Sequence, residues 1–192
     1  MQFMKRLRQI PPAILGNAVL FQGLWLAAVL GASLGRQWPA LVMLLALVAL
    51  AVGSGASWRA EGRMALAGLL AGMLAERVWL SLGLIEYRLA WSPVWPPVWI
   101  MVLWVAFAMS LNHSLAWLQG RVWLAAVFGA IGSVGSVLAG VRWGAASAPA
   151  GWLPLAVWYG LVWALLVPAL AWWAARGAGP GGQAMWPREG RT

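Results

Sequence analysis

Polar side chains that can move protons stand in an otherwise apolar segment, AMSLNHSLAWL, at residues 108–118. Asn112, His113 and Ser114 are consecutive, and His113 is the only histidine of the chain. An imidazole titrates near neutral pH, so it can serve as a general base or bind a polar ligand. Amide and hydroxyl groups in apolar helices also bind neighbouring helices. We expect His113 to face a pocket, and Asn112 or Ser114 to fix the adjacent helix.

Glu76 is the second residue that indicates a ligand-binding site, because placing a carboxyl group deep in an apolar membrane helix is energetically unfavourable. At 1.5 Å per residue it lies about 18 Å from the inner boundary of a membrane, near the midplane. It must be protonated, bound to a partner such as Gln22, or open to a wet cavity. Asn17 and His113 lie at a similar depth, about 6 to 8 Å from the inner boundary of the membrane. The candidate ligand-binding residues are therefore His113, Asn112, Ser114, Asn17, Gln22 and Glu76.

The composition indicates the setting in which these residues act. Of the 192 residues 63% are hydrophobic and 9% are charged, and there are 17 Trp. Apolar runs bounded by charge, Gly or Pro each approach the length that crosses a bilayer. They predict an all-α polytopic membrane protein, a bundle of six transmembrane helices at residues 13–34, 39–56, 64–85, 97–118, 122–141 and 152–175. Residues 1–176 form this domain, and the Gly- and Pro-rich residues 177–192 predict a disordered cytoplasmic tail.

The basic residues predict the orientation of the bundle. With a cytoplasmic N-terminus, nine fall on the inner side: Lys5, Arg6, Arg8, Arg59, Arg63, Arg121, Arg176, Arg188 and Arg191. Three fall outside, namely Arg36, Arg88 and Arg142, and Arg77 lies within a span. This bias predicts that both termini are cytoplasmic. Because the charges are scattered between the spans, we expect membrane lipids as partners and no nucleic acid.

Other motifs are few. The chain has no Cys and no P-loop or dinucleotide fingerprint, so we expect no cofactor and no metal. Ala27, Gly31 and Gly35 form a stripe of small residues on the first helix, a candidate surface for a membrane partner. Small residues on the fifth helix, including Gly129 and Ser133, predict close packing of helices.

The segments VLWVAFAMSLNHSLAWL and NAVLFQGLWLAAVLGA resemble the bacterial inner-membrane family catalogued as domain of unknown function 2878, over residues 14–145. In that family an LNHSL-W-L segment closes a middle helix, and an acidic residue lies in the preceding span, where this chain has Glu76. The resemblance implies a multi-pass protein of the bacterial inner membrane. Genes of members often lie beside genes for fatty-acyl-chain modification, which implies a lipid-related role.

Three functions remain open at this point. The first is binding of a lipid or small amphiphile in an intramembrane polar pocket, as a carrier or accessory subunit. The second is an enzyme that modifies lipid acyl chains, with His113 as base and Glu76 as acid. The third is a substrate-binding transport subunit, because six short-looped helices are similar to the substrate components of energy-coupling-factor transporters. The sequence shows no nucleophile or metal set, which favours binding over catalysis.

Overall fold

A computed structural model describes residues 11–177 as a helical bundle. Within this range there are six α-helices, one 3₁₀ turn at Ala116–Leu118, and two short strands, β1 at Glu86–Tyr87 and β2 at Ala146–Ser147. The helices are α1 Pro12–Ser33, α2 Trp38–Gly53, α3 Trp58–Ser81, α4 Val98–Ser110, α5 Val122–Arg142 and α6 Trp152–Gly177. The all-α prediction is thus confirmed for this part of the chain. The tail predicted to be disordered lies outside the described residues, apart from Gly177.

The helices have the composition of membrane spans. α1, α3, α5 and α6 are long and apolar enough to cross a membrane, and the apolar helices α2 and α4 are shorter, with 16 and 13 residues. Large apolar side chains cover the outside of the bundle; Leu45, Leu74 and Leu165 are 68%, 71% and 75% exposed. An apolar surface of this extent is unfavourable in water but favourable in contact with lipid. The chain is therefore a membrane protein.

Two helix boundaries differ from the predicted ones by six residues or more. α3 begins at Trp58 rather than at residue 64, which places Glu61 inside the helix. α4 ends at Ser110 rather than at residue 118, and the chain continues through tight turns. The Gln119 side chain donates to the carbonyl of Leu111 at 2.8 Å, and so satisfies a group that a continued helix would have used. The Asn-His-Ser triplet therefore lies in a turn instead of on a helix.

Consecutive helices pack in pairs, α1 with α2, α3 with α4, and α5 with α6. α4 also packs on α1 and α2, and α3 packs on α6, whereas α1 and α5 approach each other only sparsely. The bundle consequently leaves space between α1 and α4 on one side and α5 and α6 on the other. We call the end that holds β1 and β2 the sheet end, and the end that holds residues 111–118 the turn end.

Glycines on α3 let α4 approach closely. A Cβ at Gly68 would lie 2.6 Å from the carbonyl oxygen of Trp104, and one at Gly72 would lie 2.5 Å from the indole of Trp104. Small residues at four-residue spacing allow such contacts between membrane helices, where packing rather than water exclusion drives association. They hold Trp104 flat on α3, one turn from Glu76.

The strands close the sheet end. β1 and β2 pair antiparallel, with Glu86 opposite Ser147 and Tyr87 opposite Ala146. β1 follows α3 and β2 follows α5, so the pairing ties the α3–α4 connection to the α5–α6 connection. It also turns the Tyr87 side chain inward, where it is 8% exposed.

Candidate functional site

Glu76 is buried in the bundle with a donor on each carboxyl oxygen. Its side chain is 2% exposed. The Trp104 Nε1–H donates to Oε1 at 2.9 Å, and the Tyr87 hydroxyl donates to Oε2 at 2.6 Å. Of the three alternatives expected for Glu76, the structure shows hydrogen bonding to partners, and these are Tyr87 and Trp104 rather than Gln22. The donors come instead from α4 and β1.

Tyr159 extends this arrangement toward α6. Its hydroxyl oxygen lies 2.6 Å from that of Tyr87, and the indole of Trp79 stacks on its ring with centroids 4.0 Å apart. We call Glu76, Tyr87, Trp104 and Tyr159 the Glu76 cluster. Burial is the main reason that the pKa of Tyr87 lies well above its ordinary value, with the neighbouring Glu76 charge second. The Tyr87 hydroxyl therefore keeps its proton and remains a donor at neutral pH.

The tyrosines were not among the candidates from sequence, although a signal was present. The chain has 17 Trp but only two Tyr, and both belong to the Glu76 cluster. In a chain whose aromatic residues are mostly Trp, the rare Tyr is a signal of its own. A phenol can both donate and accept a hydrogen bond, whereas an indole only donates.

The Glu76 cluster borders a cavity of about 690 Å³ between α1, α4, α5 and α6. Along α5 its lining runs from Phe128 near the turn end to Gly140 near the sheet end, about 18 Å at 1.5 Å per residue. Most of the wall is apolar, and the aromatic side chains that line it include Phe21, Trp25, Trp99, Phe107 and Trp163. We call this long, mostly apolar cavity the slot; the polar Glu76 cluster lies at its sheet end.

The slot is open on one side, between α1 and α5. Of its lining residues, Gln22 on α1 and Ile131, Gly132 and Gly135 on α5 are exposed, Ile131 by 69%. All four lie in the middle of their helices. The opening therefore lies on the side of the bundle rather than at either of its ends.

The small residues of α5 divide between packing and the cavity. A Cβ at Gly129 would collide with the backbone of Trp163 on α6, so this glycine permits close packing as predicted. Gly132 and Gly135 have nothing within 4 Å of an added Cβ, and both line the cavity. Ser136 accepts a 2.7 Å hydrogen bond from the indole of Trp25, which joins α5 to α1 across the slot.

His113 belongs to a separate polar group, the Glu61 cluster. Its Nε2 lies 3.0 Å from Glu61 Oε1, and the Asn112 side-chain amide donates to the same oxygen at 2.9 Å. Glu61 is 7% exposed and His113 6% exposed. The expectation that His113 faces the ligand pocket is therefore wrong: it does not line the cavity but fastens the turn after α4 to the start of α3. Glu61 was missed because the predicted third helix began after it.

Asn17 and Ser114 meet at the turn end. Asn17 Oδ1 accepts bonds from the Ser114 hydroxyl at 2.6 Å and from its backbone N–H at 3.2 Å. The predictions that Asn17 lies at the level of the triplet, and that one of its members fixes the neighbouring helix, are confirmed. Ser114 also lines the cavity, together with Gln22 and Glu76.

The six candidate residues are therefore not one pocket. Gln22, Ser114 and Glu76 line the cavity, Asn17 supports Ser114, and Asn112 and His113 belong to the Glu61 cluster. Along α3, Glu61 and Glu76 are separated by fifteen residues, or about 22 Å. His113 is bound to Glu61 and cannot pair with Glu76, so the acid–base pair of the enzyme hypothesis is not assembled. Within residues 11–177, no three His, Asp or Glu side chains group to hold a metal ion.

The proposed docking stripe on α1 is largely occupied by the chain itself. Gly31 is buried, and a Cβ there would lie 2.8 Å from the carbonyl oxygen of Arg36 and 3.2 Å from Pro39. Gly35 follows the helix with a φ of 78°, a conformation that favours glycine in a turn. These two glycines therefore serve the α1–α2 connection, and a partner at this stripe stays a prediction.

The family of this chain follows from its similarity to known proteins. The profile of the family described as "Protein of unknown function (DUF2878)" matches residues 14–169. The chain belongs to this family. The DUF2878 match extends past residue 145, where the resemblance in sequence ended, through most of α6, and so includes Tyr159. Both clusters and the whole cavity lining lie within the DUF2878 segment. No curated protein and no solved structure matches the chain.

Proposed function

We propose that this protein holds the hydrocarbon chain of a lipid or small amphiphile in the slot between α1, α4, α5 and α6, as a carrier or accessory subunit of the bacterial inner membrane. The observation that carries the proposal is the cavity of about 690 Å³, whose wall is mostly apolar and which the Glu76 cluster borders at the sheet end. Ligand sites are typically concave and apolar, with a few placed polar groups.

The opening between α1 and α5 supports a lipid as the source of the ligand. A chain in the bilayer can enter through this gap without leaving hydrocarbon, so it keeps its apolar contacts. The aromatic walls offer flat surfaces against which methylene groups pack. The Glu76 cluster gives the polar head a place to form hydrogen bonds, which it would otherwise lack at that depth.

Six transmembrane helices with cytoplasmic termini belong to the same proposal. The four long apolar helices support membrane crossing, and the shorter α2 and α4 each pair with a long neighbour. The distribution of basic residues favours the turn end as the cytoplasmic side. In this orientation the Glu76 cluster lies toward the periplasmic side of the bilayer.

Filling the slot tests the proposed function. Gly132→Leu places a side chain in the open space of the cavity, whereas Gly53→Leu makes the same change at the end of α2, where nothing lies within 4 Å and no cavity residue is altered. Lipids extracted from the purified proteins are quantified by mass spectrometry. We expect a lipid species that co-purifies with wild type and Gly53→Leu at near-equal molar ratio and is lost from Gly132→Leu. Equal lipid profiles for all three proteins would contradict the proposal.

A further inference from the structure

The number of protons in the Glu76 cluster determines whether the Tyr159 hydroxyl can donate a hydrogen bond into the cavity or only accept one. A tyrosine hydroxyl has one proton and two lone pairs. With Glu76 as a carboxylate, which has no proton to give, Tyr87 donates its proton to Oε2 and the Trp104 N–H donates to Oε1. The 2.6 Å bond between the two tyrosines must therefore use the proton of Tyr159. The Tyr159 oxygen is left with a free lone pair and no proton to give.

The open end of this chain of hydrogen bonds lies at the cavity. Tyr159 lines the slot, as do Tyr87 and Glu76. Tyr159 is 6% exposed, and the surrounding wall is apolar. In buried, mostly apolar surroundings an unused hydrogen-bond acceptor is unfavourable and a complementary donor is favourable. A head group that donates a hydrogen bond pairs with the free lone pair of the Tyr159 oxygen. A head group that only accepts places its own lone pair against that oxygen and forms no hydrogen bond.

We infer that the site selects single-chain lipids whose head is a neutral hydroxyl, that is, long-chain alcohols. This inference rests on the proposed function, because the chain of the ligand occupies the slot. A neutral head is favoured over an anionic one, which the Glu76 carboxylate would repel. It is favoured over a cationic one because both Glu76 oxygens already accept hydrogen bonds, from Trp104 and Tyr87. The hydroxyl donates to Tyr159, and the tail extends toward Phe128 at the turn end.

The direction of the hydrogen bonds gives the inference a specific consequence. In Glu76→Gln the indole of Trp104 still requires an acceptor, so the amide oxygen takes the place of Oε1. The amide nitrogen then takes the place of Oε2 and donates to Tyr87. Tyr87 must in turn donate to Tyr159, and Tyr159 donates into the cavity. The same site then favours a ligand that accepts a hydrogen bond.

The experiment compares hexadecanol with its methyl ether, which has the same chain and accepts but does not donate. Binding of each to the full-length protein in detergent is measured by native mass spectrometry. For wild type we expect the alcohol to bind about five- to tenfold more tightly than the ether, the effect of one buried hydrogen bond. For Glu76→Gln we expect the ether to bind as well as the alcohol or better. In Tyr159→Phe the preference for the alcohol should be lost, and the ratio that remains measures the different partitioning of the two compounds into the micelle.

The outcomes separate the inference from the proposed function. If alcohol and ether bind wild type equally, the hydroxyl preference is wrong while the slot still binds chains. If neither binds, both are wrong. Thermal melting shows whether Glu76→Gln is folded. If it is not, the hydroxyl preference is tested by the alcohol-to-ether binding ratio of wild type and by its loss in Tyr159→Phe. A wild-type ratio unchanged by Tyr159→Phe would also overturn the inference.

Discussion

The hydroxyl oxygens of Tyr87 and Tyr159 lie 2.6 Å apart, although 72 residues separate them in the chain. One phenol comes from β1, between α3 and α4, and the other from α6. Their hydrogen bond therefore joins two parts of the bundle across the sheet end of the cavity and continues to Glu76. The Glu76 cluster is at once a closure of the fold and the polar end of the proposed site.

Replacing the carboxyl with an apolar side chain should destabilise the protein. In Glu76→Leu the Trp104 N–H loses its acceptor, and the Tyr87 hydroxyl can donate only to Tyr159. An unsatisfied buried donor costs about 1–3 kcal/mol. Glu76→Gln retains a hydrogen-bonding partner for both. We expect the Tm in detergent to fall clearly for Glu76→Leu and much less for Glu76→Gln. Equal Tm values for the two variants would show that these hydrogen bonds do not support the fold.

Close packing between α3 and α4 should be sensitive to one methyl group. In Gly72→Ala the new Cβ meets the indole of Trp104, which is held by its bond to Glu76 and cannot move away freely. Overpacking of this kind costs about 1–3 kcal/mol. Gly132→Ala is the matched control, because its Cβ enters open space. A fluorescence-detected melting curve should show a lower Tm for Gly72→Ala alone; a comparable loss in the control would refute the packing account.

The Glu61 cluster should act on stability and not on ligand binding. His113→Ala removes the contact between the turn after α4 and the start of α3, and we expect a lower Tm with an unchanged amount of co-purified lipid. This reverses the expectation from sequence, which gave His113 a place in the pocket. A double-mutant cycle with Glu61→Gln should give a coupling energy of about 0.5–3 kcal/mol. Additive effects, or loss of bound lipid in folded His113→Ala, would contradict this assignment.

The orientation in the membrane is tested by reporter fusions. Fusions after Arg121 and at the C-terminus should both report a cytoplasmic location, because most basic residues then lie inside. A fusion in the α3–α4 connection, after Arg88, should report the periplasm. A periplasmic signal from either of the first two would overturn the six-span topology.

The helices of this molecule can be predicted from its sequence more readily than the contacts between them. Apolar runs of membrane length gave the six helices, since hydropathy and length are local properties. Glu76 stood out because a carboxyl at that depth is costly wherever its partners are. The level shared by Asn17 and Ser114 followed from helix rise alone.

The errors arose where distant parts of the chain decide the structure. The predicted fourth helix continued through Asn112 because the apolar pattern does, but side-chain hydrogen bonds to Glu61 and Leu111 stabilise turns there instead. Tyr159 is 83 residues from Glu76 in sequence, and only the packing of α6 on α3 brings them together. Which glycines pack and which line a cavity likewise depends on the neighbouring helix.

Photo-crosslinking tests the central claim, that a hydrocarbon chain lies in the slot with its head at the Glu76 cluster. A hexadecanol that carries a diazirine at the end of its chain is bound to the purified protein and irradiated, and the labelled peptides are sequenced by mass spectrometry. We expect labels at the turn end of the cavity, on Trp117 and Phe128, and a strong reduction in Gly132→Leu. Labels spread over lipid-facing residues such as Leu45 and Leu165, with no change in Gly132→Leu, would contradict the account.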